Sequence, residues 1–526
     1  MNTGSGPNIV FIMADQLAAG FVGCYGSGVD STPTLDRLAA DGVRFDRCYA
    51  HCPVCAPNRA TIFTGRSIGI HGIVTNNLTL GREHPTFVEV LRRSGYATGG
   101  FGKFHLTPMQ CPLPEDFSWL GFDEAAPTED PKLGPWLDWV EREHPEHFDA
   151  ALAVSWPMPY LSAYGPEKRD LTEAWAAANR RILKPRRDAS DWHLQYESPL
   201  PPEVHQTRFI TDCALEFMER RTAGEDNDPF FCFVSYVDPH DPYDPPAPYS
   251  TMYDPSEMPA PIPLEEPGHS SRILEGSRDF HQFRTVSGNE RTMKRLRALY
   301  HGSIRFIDDQ IGRITAFLEE RGLAENTILV FTTDHGDMMG DHGLITKGVK
   351  HFDKGIRCPL IVRGGPVEGG RATDRLTSSL DFFPTVCDWA GIDERPPVEG
   401  RSFAAGSAAA DDGWRTVTVQ SPAPLKPEQE GMVRSIVTDD GWRFSVYDED
   451  GQGEMFNLRE DPEERLNLYD RSEWGDRQRL LQERHIRAYM RSLRVVQWPV
   501  LPEKEGTRYE LRKGFQPLAP TAYQRS

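Results

Sequence analysis

No stretch of this chain approaches the run of roughly 20 apolar residues that a membrane span needs, so a spanning helix is not expected. Positive charge is scarce beside negative: 58 Lys and Arg stand against 78 Asp and Glu, a formal net charge of −20. Nucleic-acid partners draw on clustered cations, which sets that class aside, while a small anionic substrate stays compatible if a few cations converge locally. The N-terminus, Met1 to Pro7, has neither a charged leader nor a small-residue cleavage site, and it runs straight into the strand-like Asn8-Ile9-Val10-Phe11-Ile12-Met13. A disulfide framework is missing as well. Nine cysteines, an odd number, are scattered from Cys24 to Cys387, and with no secretion signal they predict a reducing, cytoplasmic setting. There is no internal repeat.

What is present is a globular composition, 38% hydrophobic and 26% charged over 526 residues, enough for one large domain and a smaller one. Strand-like and helix-like runs alternate over the first three-quarters of the chain, the pattern of an α/β domain with a largely parallel central sheet. The clearest strands are 8–14, Phe230 to Val237 and Thr327 to Thr333, and each ends at an ionisable cluster: Asp15-Gln16, Asp238-Pro239-His240 and Asp334-His335. Such sheets build their sites just past the carboxyl ends of their strands. The three-or-four spacing from Met293 to Leu318 predicts a long amphipathic helix whose role is packing. Residues from about 107 to 205, rich in Pro, Trp and charge, read as an irregular insertion over one sheet edge. We expect a catalytic domain over 1–405, a small antiparallel-sheet domain over 406–497 with a hairpin turn at Asp439-Asp440-Gly441, and a tail over 498–526 that wraps its own or a neighbouring subunit of a homo-oligomer.

Four clusters carry chemistry. In Cys55-Ala56-Pro57-Asn58-Arg59, Pro57 suits a first helical turn, which places Cys55 near the N-cap, where exposed N–H groups acidify a thiol. Arg59 returns to the same side one turn on. Two other readings stand beside the nucleophile: Cys48, Cys52 and Cys55 spell Cys-x3-Cys-x2-Cys, an iron–sulfur spacing of radical enzymes, or they are three buried hydrophobes. Asp15-Gln16 and Asp334-His335, more than 300 residues apart, offer carboxylate, amide and imidazole donors suited to Ca²⁺, Mg²⁺ or Mn²⁺, although strand-end Asp residues also cap helices. Lys103 and His105, two apart on what reads as an extended segment, point the same way. The last cluster combines Asp238-Pro239-His240 with Asp334-His335-Gly336-Asp337 through Lys347-Gly348, in which Asp341 and His342 read equally well as structural.

In these motifs the chain resembles the sulfatase family, whose signature Cys-x-Pro-x-Arg followed by Thr-Gly is met by Cys55 to Arg59 with Thr64-Gly65. Asn58 stands where the family usually has Ser, Phe104 replaces Trp in a Gly-Lys-Trp-His-Leu motif, and Asp337 replaces Glu. The resemblance extends from residue 8 to about 470, including the closing segment Glu454 to Pro462. It implies an alkaline phosphatase-like fold and a formylglycine nucleophile made from Cys55 by a formylglycine-generating enzyme. It also implies one divalent ion, Ca²⁺ or Mn²⁺, on Asp15, Gln16, Cys55, Asp334 and His335, and hydrolysis of small sulfate esters through a covalent sulfo-enzyme. Arg59, Lys103 and Lys347 would hold the substrate's oxygens, His240 would protonate the leaving group, and His105 would take the second proton. Asn76 matches an anion-contacting Asn of the phosphonate monoester hydrolase branch, or is an Asx turn. Gln16 and His335 also occur in that branch, so phosphonate monoester or phosphodiester hydrolysis is the alternative within hydrolases. A non-catalytic binding relative is the alternative outside them.

Overall fold

The computed structural model describes residues 6–492 except 115, 224–227, 264–285, 405–415, 423–431 and 449–451. The expected tail over 498–526 lies outside the described residues. A central sheet is built from β1 (Asn8–Ala14), β2 (Val43–Phe45), β3 (Ala97–Gly102), β4 (Glu124–Pro127), β5 (Phe230–Ser235), β6 (Thr327–Thr333), β7 (Leu360–Arg363) and β8 (Arg371–Thr373). Their spatial order is β8-β2-β7-β6-β1-β5-β3-β4. The block β6-β1-β5-β3-β4 is parallel throughout, and β7 runs antiparallel to both its neighbours. β1, β5 and β6 are buried along their whole length, which is why they read as continuous apolar runs rather than alternating ones. One face packs Phe11, Phe63, Phe87 and Phe233 together; the other packs against helices Gln206–Thr222 and Glu290–Glu320. The second of these is the long helix expected from periodicity.

The segment 107–205 is not irregular. It contributes β4 to the sheet edge, then helices Pro135–Glu143, Phe148–Val154 and Thr172–Ala178, and it closes a core of its own around Trp136, Leu152, Leu161 and Tyr196. Its prolines mislead because Pro135, Pro145 and Pro159 sit in first helical turns, where the missing N–H has no intrahelical partner to lose. A separate four-stranded antiparallel sheet follows, made of β9 (Thr416–Pro422), β10 (Met432–Thr438), β11 (Trp442–Tyr447) and β12 (Gly453–Asn457) in sequential order. Gly441, at φ +89°, turns β10 into β11. Among the described residues no helix is long and apolar enough to cross a membrane.

Two histidines tie the second sheet to the first domain. His351 is buried between the Ser435 and Ser421 hydroxyls at 2.8 and 2.7 Å, and His51 Nδ1 faces the Thr418 carbonyl at 3.0 Å. Burial lowers His351 to about 3 and His51 to about 4. Unfolded, each titrates near 6.5, so below that pH the unfolded chain takes up protons that the folded chain refuses, and stability falls as pH drops toward the folded values. At pH 5 each group costs about 2 kcal/mol. Urea unfolding at pH 7 and pH 5 is expected to show the loss, with a shallower slope in His351→Gln; an equal slope would acquit His351.

Candidate active site

β1 and β6 are parallel and in register, with Ala14 beside Thr333, so their first residues beyond the sheet, Asp15 and Asp334, emerge side by side. Gln16 donates its backbone N–H to Asp334 Oδ1 at 3.1 Å. Helix α1 (Cys55–Thr64) starts opposite these strand ends, with Cys55 as its first residue after the extended Val54. Cys55 Sγ lies 3.2 Å from His335 Nε2 and 3.7 Å from Asp15 Oδ1. One ligand atom from each of Asp15, Cys55, Asp334 and His335 falls within 4.8 Å of every other, and all four residues are buried. Neither Cys48 nor Cys52 belongs to that group: Cys48 pairs across a small sheet with Cys358. Among the described residues no metal-capable group joins Cys48 and Cys52 to Cys55, so the iron–sulfur reading gains no support here.

The donor chemistry fits a hard divalent ion. His335 Nδ1 faces the Gly336 carbonyl at 3.0 Å, which places its proton there and leaves the Nε2 lone pair toward the carboxylates. Gln16 Oε1 is buried without a hydrogen-bond partner. Two carboxylates, one amide oxygen and one imidazole remain for a cation.

Cations balance the carboxylates. Arg59, wholly buried, donates from Nε to Asp334 Oδ2 at 2.8 Å and from Nη2 to Asp15 Oδ2 at 3.1 Å. Its Nη1 donates to the Lys103 carbonyl at 2.5 Å and the Ser235 hydroxyl at 2.9 Å. Lys103 Nζ sits between Asp15 Oδ2 at 2.6 Å and Asp130 Oδ1 at 2.5 Å. Burial disfavours this ammonium, but Asp130 and Asp15 outweigh it and hold its pKa well above the usual lysine value. The Cys55 thiol is pushed up by burial and further down by Lys103, Lys347 and His335, and it ends well below a normal thiol.

Lys103 and His105 do not alternate along a strand. β3 stops at Gly102, whose φ is +99° and where a Cβ would come 1.9 Å from the Ser235 carbonyl oxygen. His105 itself is left-handed at φ +51°. The bend is held by Glu129, whose Oε1 accepts the Phe104 and His105 N–H groups at 3.0 and 2.8 Å. It leaves both ring nitrogens of His105 buried, with the ring close enough to the Cys55 thiol to lower its pKa.

His240 and Lys347 meet on the open side, Nε2 against Nζ. His240 Nδ1 faces the Asp241 carbonyl at 2.6 Å, which assigns its proton to Nδ1. Burial and Lys347 push His240 down, while Asp241, Asp130 and Asp15 push harder the other way, and the balance is raised to about 9. Asn76 caps α1, its Oδ1 accepting the Ala56 N–H at 3.1 Å. Asn58 links Asp334's carbonyl to the backbone of His51 and Cys52, a tie that the usual Ser at this position is too short to make at both ends. Sequence reasoning missed Glu129, Asp130, Ser235 and Tyr300. Only Ser235, ending an apolar strand, carried a signal that could have found it.

Carboxylates gathered at parallel strand ends against a nucleophile on a helix start are the working arrangement of alkaline phosphatase-like hydrolases, and fold and site together place the protein in that class. Residues 7–392 match the Sulfatase family model, and the chain belongs to the sulfatase family, the hydrolases of sulfuric esters. Residues 340–490 match the model described as N-sulphoglucosamine sulphohydrolase, C-terminal. An arylsulfatase of Clostridium perfringens is 29% identical over 90% of this chain and 92% of its own length. The multifunctional alkaline phosphatase superfamily protein PehA of Trinickia caryophylli is 27% identical over 88% of this chain and 91% of its own. The structure of a phosphonate monoester hydrolase from Silicibacter pomeroyi superposes with a TM-score of 0.74 at 25% identity, over 93% of this chain and 96% of that one.

Proposed function

We propose that the protein hydrolyses small sulfate monoesters with a formylglycine nucleophile derived from Cys55 and one divalent ion, Ca²⁺ or Mn²⁺, held by Asp15, Gln16, Asp334 and His335. The observation that carries this reading is the convergence of Asp15, Asp334 and His335 with Cys55 at a helix start. When present, the ion and the hydrated aldehyde would supply Lewis acidity and an activated hydroxyl. The chain's own residues do the rest. Arg59 holds both carboxylates in place, a holding role rather than a grip on substrate, because four of its hydrogen bonds already go to protein acceptors. Lys103 and Lys347 set a positive field where a sulfuryl group's equatorial oxygens would lie. The His240–Lys347 pair holds a proton for the departing oxygen. His105, buried beside Cys55, takes the proton released there.

Phosphonate monoester and phosphodiester hydrolysis is the second reading, favoured by the Gln16 and His335 donors. The protein co-expressed with a formylglycine-generating enzyme is expected to yield a Cys55 peptide about 18 Da lighter than its cysteine form, and to cleave nitrophenyl sulfate faster than a nitrophenyl phosphonate monoester. Full activity with Cys55 unmodified would sink the nucleophile assignment, and the reverse order of rates would favour the second substrate class.

A further inference from the structure

Gln16 has two chemically different ends, and only its oxygen can serve a cation. Nε2 donates to Asp337 Oδ2 at 2.6 Å and to Asp241 Oδ1 at 3.3 Å, while Oε1 is buried and unpartnered. A carboxylate accepts and cannot donate, so Asp337 decides which end of the amide turns toward it and which end is left buried without a partner. Asp337 is itself fixed on every side. Oδ1 accepts the N–H groups of Met339 and Thr346 at 2.9 and 2.8 Å, and Oδ2 also accepts the Tyr243 hydroxyl at 2.7 Å. The Gln16 backbone is pinned just as firmly. Its φ is +65°, and the Tyr300 hydroxyl donates to its carbonyl at 2.5 Å while accepting the Ala18 N–H at 3.1 Å.

We infer that Asp337 is a positioning residue which sets the orientation of the Gln16 amide, and that its presence makes position 16 a place for an amide and not for a carboxylate. The inference rests on the metal-site reading above. At most oxygen-donor sites, exchanging a neutral ligand for a carboxylate adds charge and tightens cation binding. Here the opposite follows. In Gln16→Glu a carboxylate oxygen would face Asp337 Oδ2 across the 2.6 Å now spanned by an N–H donor. In Asp337→Asn the new amide offers a donor, to which the Gln16 oxygen turns, and the site loses that oxygen. The double variant restores one donor and one acceptor with their positions exchanged.

Calorimetric titration of the full chain with Ca²⁺ and Mn²⁺ at pH 8 tests this without reference to activity, with apo-protein melting as the folding control. Wild type is expected to bind; each single variant is expected to bind at least about ten-fold more weakly, and the double variant within about three-fold of wild type. Gln16→Glu keeps Asp337 and its loop contacts, so it carries the test alone if Asp337→Asn does not fold. Binding by Gln16→Glu as tight as wild type, or a double variant no tighter than the singles, overturns the inference. A wild-type protein that binds neither ion removes the metal-site reading, and this inference falls with it.

Discussion

Cys55→Ser is expected to lower steady-state sulfate-ester turnover by about 10⁴-fold or more while leaving the fold intact. The serine hydroxyl keeps the place of Sγ at the first residue of α1, 3.2 Å from His335 and within reach of the same cations. It differs in having one hydroxyl where a hydrated aldehyde has two. Attack on sulfur transfers the sulfuryl group to that oxygen and releases the alcohol. The S–O bond so formed can break only by a further displacement at sulfur, whereas a second hydroxyl on the same carbon would let His105 take its proton and expel sulfate. Intact-mass measurement after incubation with substrate should therefore find a stoichiometric adduct of about 80 Da. Rapid turnover without an adduct would show that the second hydroxyl is unnecessary and would overturn the two-hydroxyl argument.

His240→Ala is the other large effect, and it should depend on the substrate. For an alkyl sulfate, whose leaving oxygen needs a proton, we expect kcat to fall by about 10²–10⁴-fold. For a nitrophenyl sulfate, whose leaving group is stable as an anion, the loss should be about ten-fold or less. The pH dependence carries a matching sign. His240 is raised to about 9, so its protonated form persists below that pH and disappears above it. Alkyl-sulfate turnover should then fall above pH 9, with no such limb in His240→Ala or with the nitrophenyl ester. Equal losses on both esters would remove the acid role and leave His240 as a partner that orients Lys347.

The metal-type donors were legible because each closes a buried apolar strand, and two such strands of a parallel sheet bring their ends together whatever the distance between them in the chain. The anion-facing side was harder to read. Lys103 and His105 invite a period-two reading, but Gly102 abandons the extended conformation and the reversal is held by Glu129, two residues past a strand of Glu124-Ala125-Ala126-Pro127 that has no apolar run to announce it. Arg59 was recognisable as a cation, yet nothing in a linear pattern could show that its donors go to Asp15, Asp334 and Ser235, 44, 275 and 176 positions away. Tyr300 was legible only as a core residue of a long helix, since periodicity reports the buried face and is silent about a hydroxyl at the end of a buried ring.

Cys55 is wholly inaccessible in the folded chain, and the turn that leads to it is clamped from a distance: Gln420 donates its N–H to the His51 carbonyl at 2.7 Å, and Thr418 receives His51 Nδ1. That clamp comes from a strand synthesised 367 residues after His51. At translation rates of roughly 5–20 residues per second, the signature stays unclamped on the ribosome for roughly 20–70 s. A modifying enzyme that needs the signature unfolded would have that interval and the time the released chain takes to fold. The order of the chain thus doubles as a timetable, in which the last sheet to be made fastens the turn that leads to Cys55.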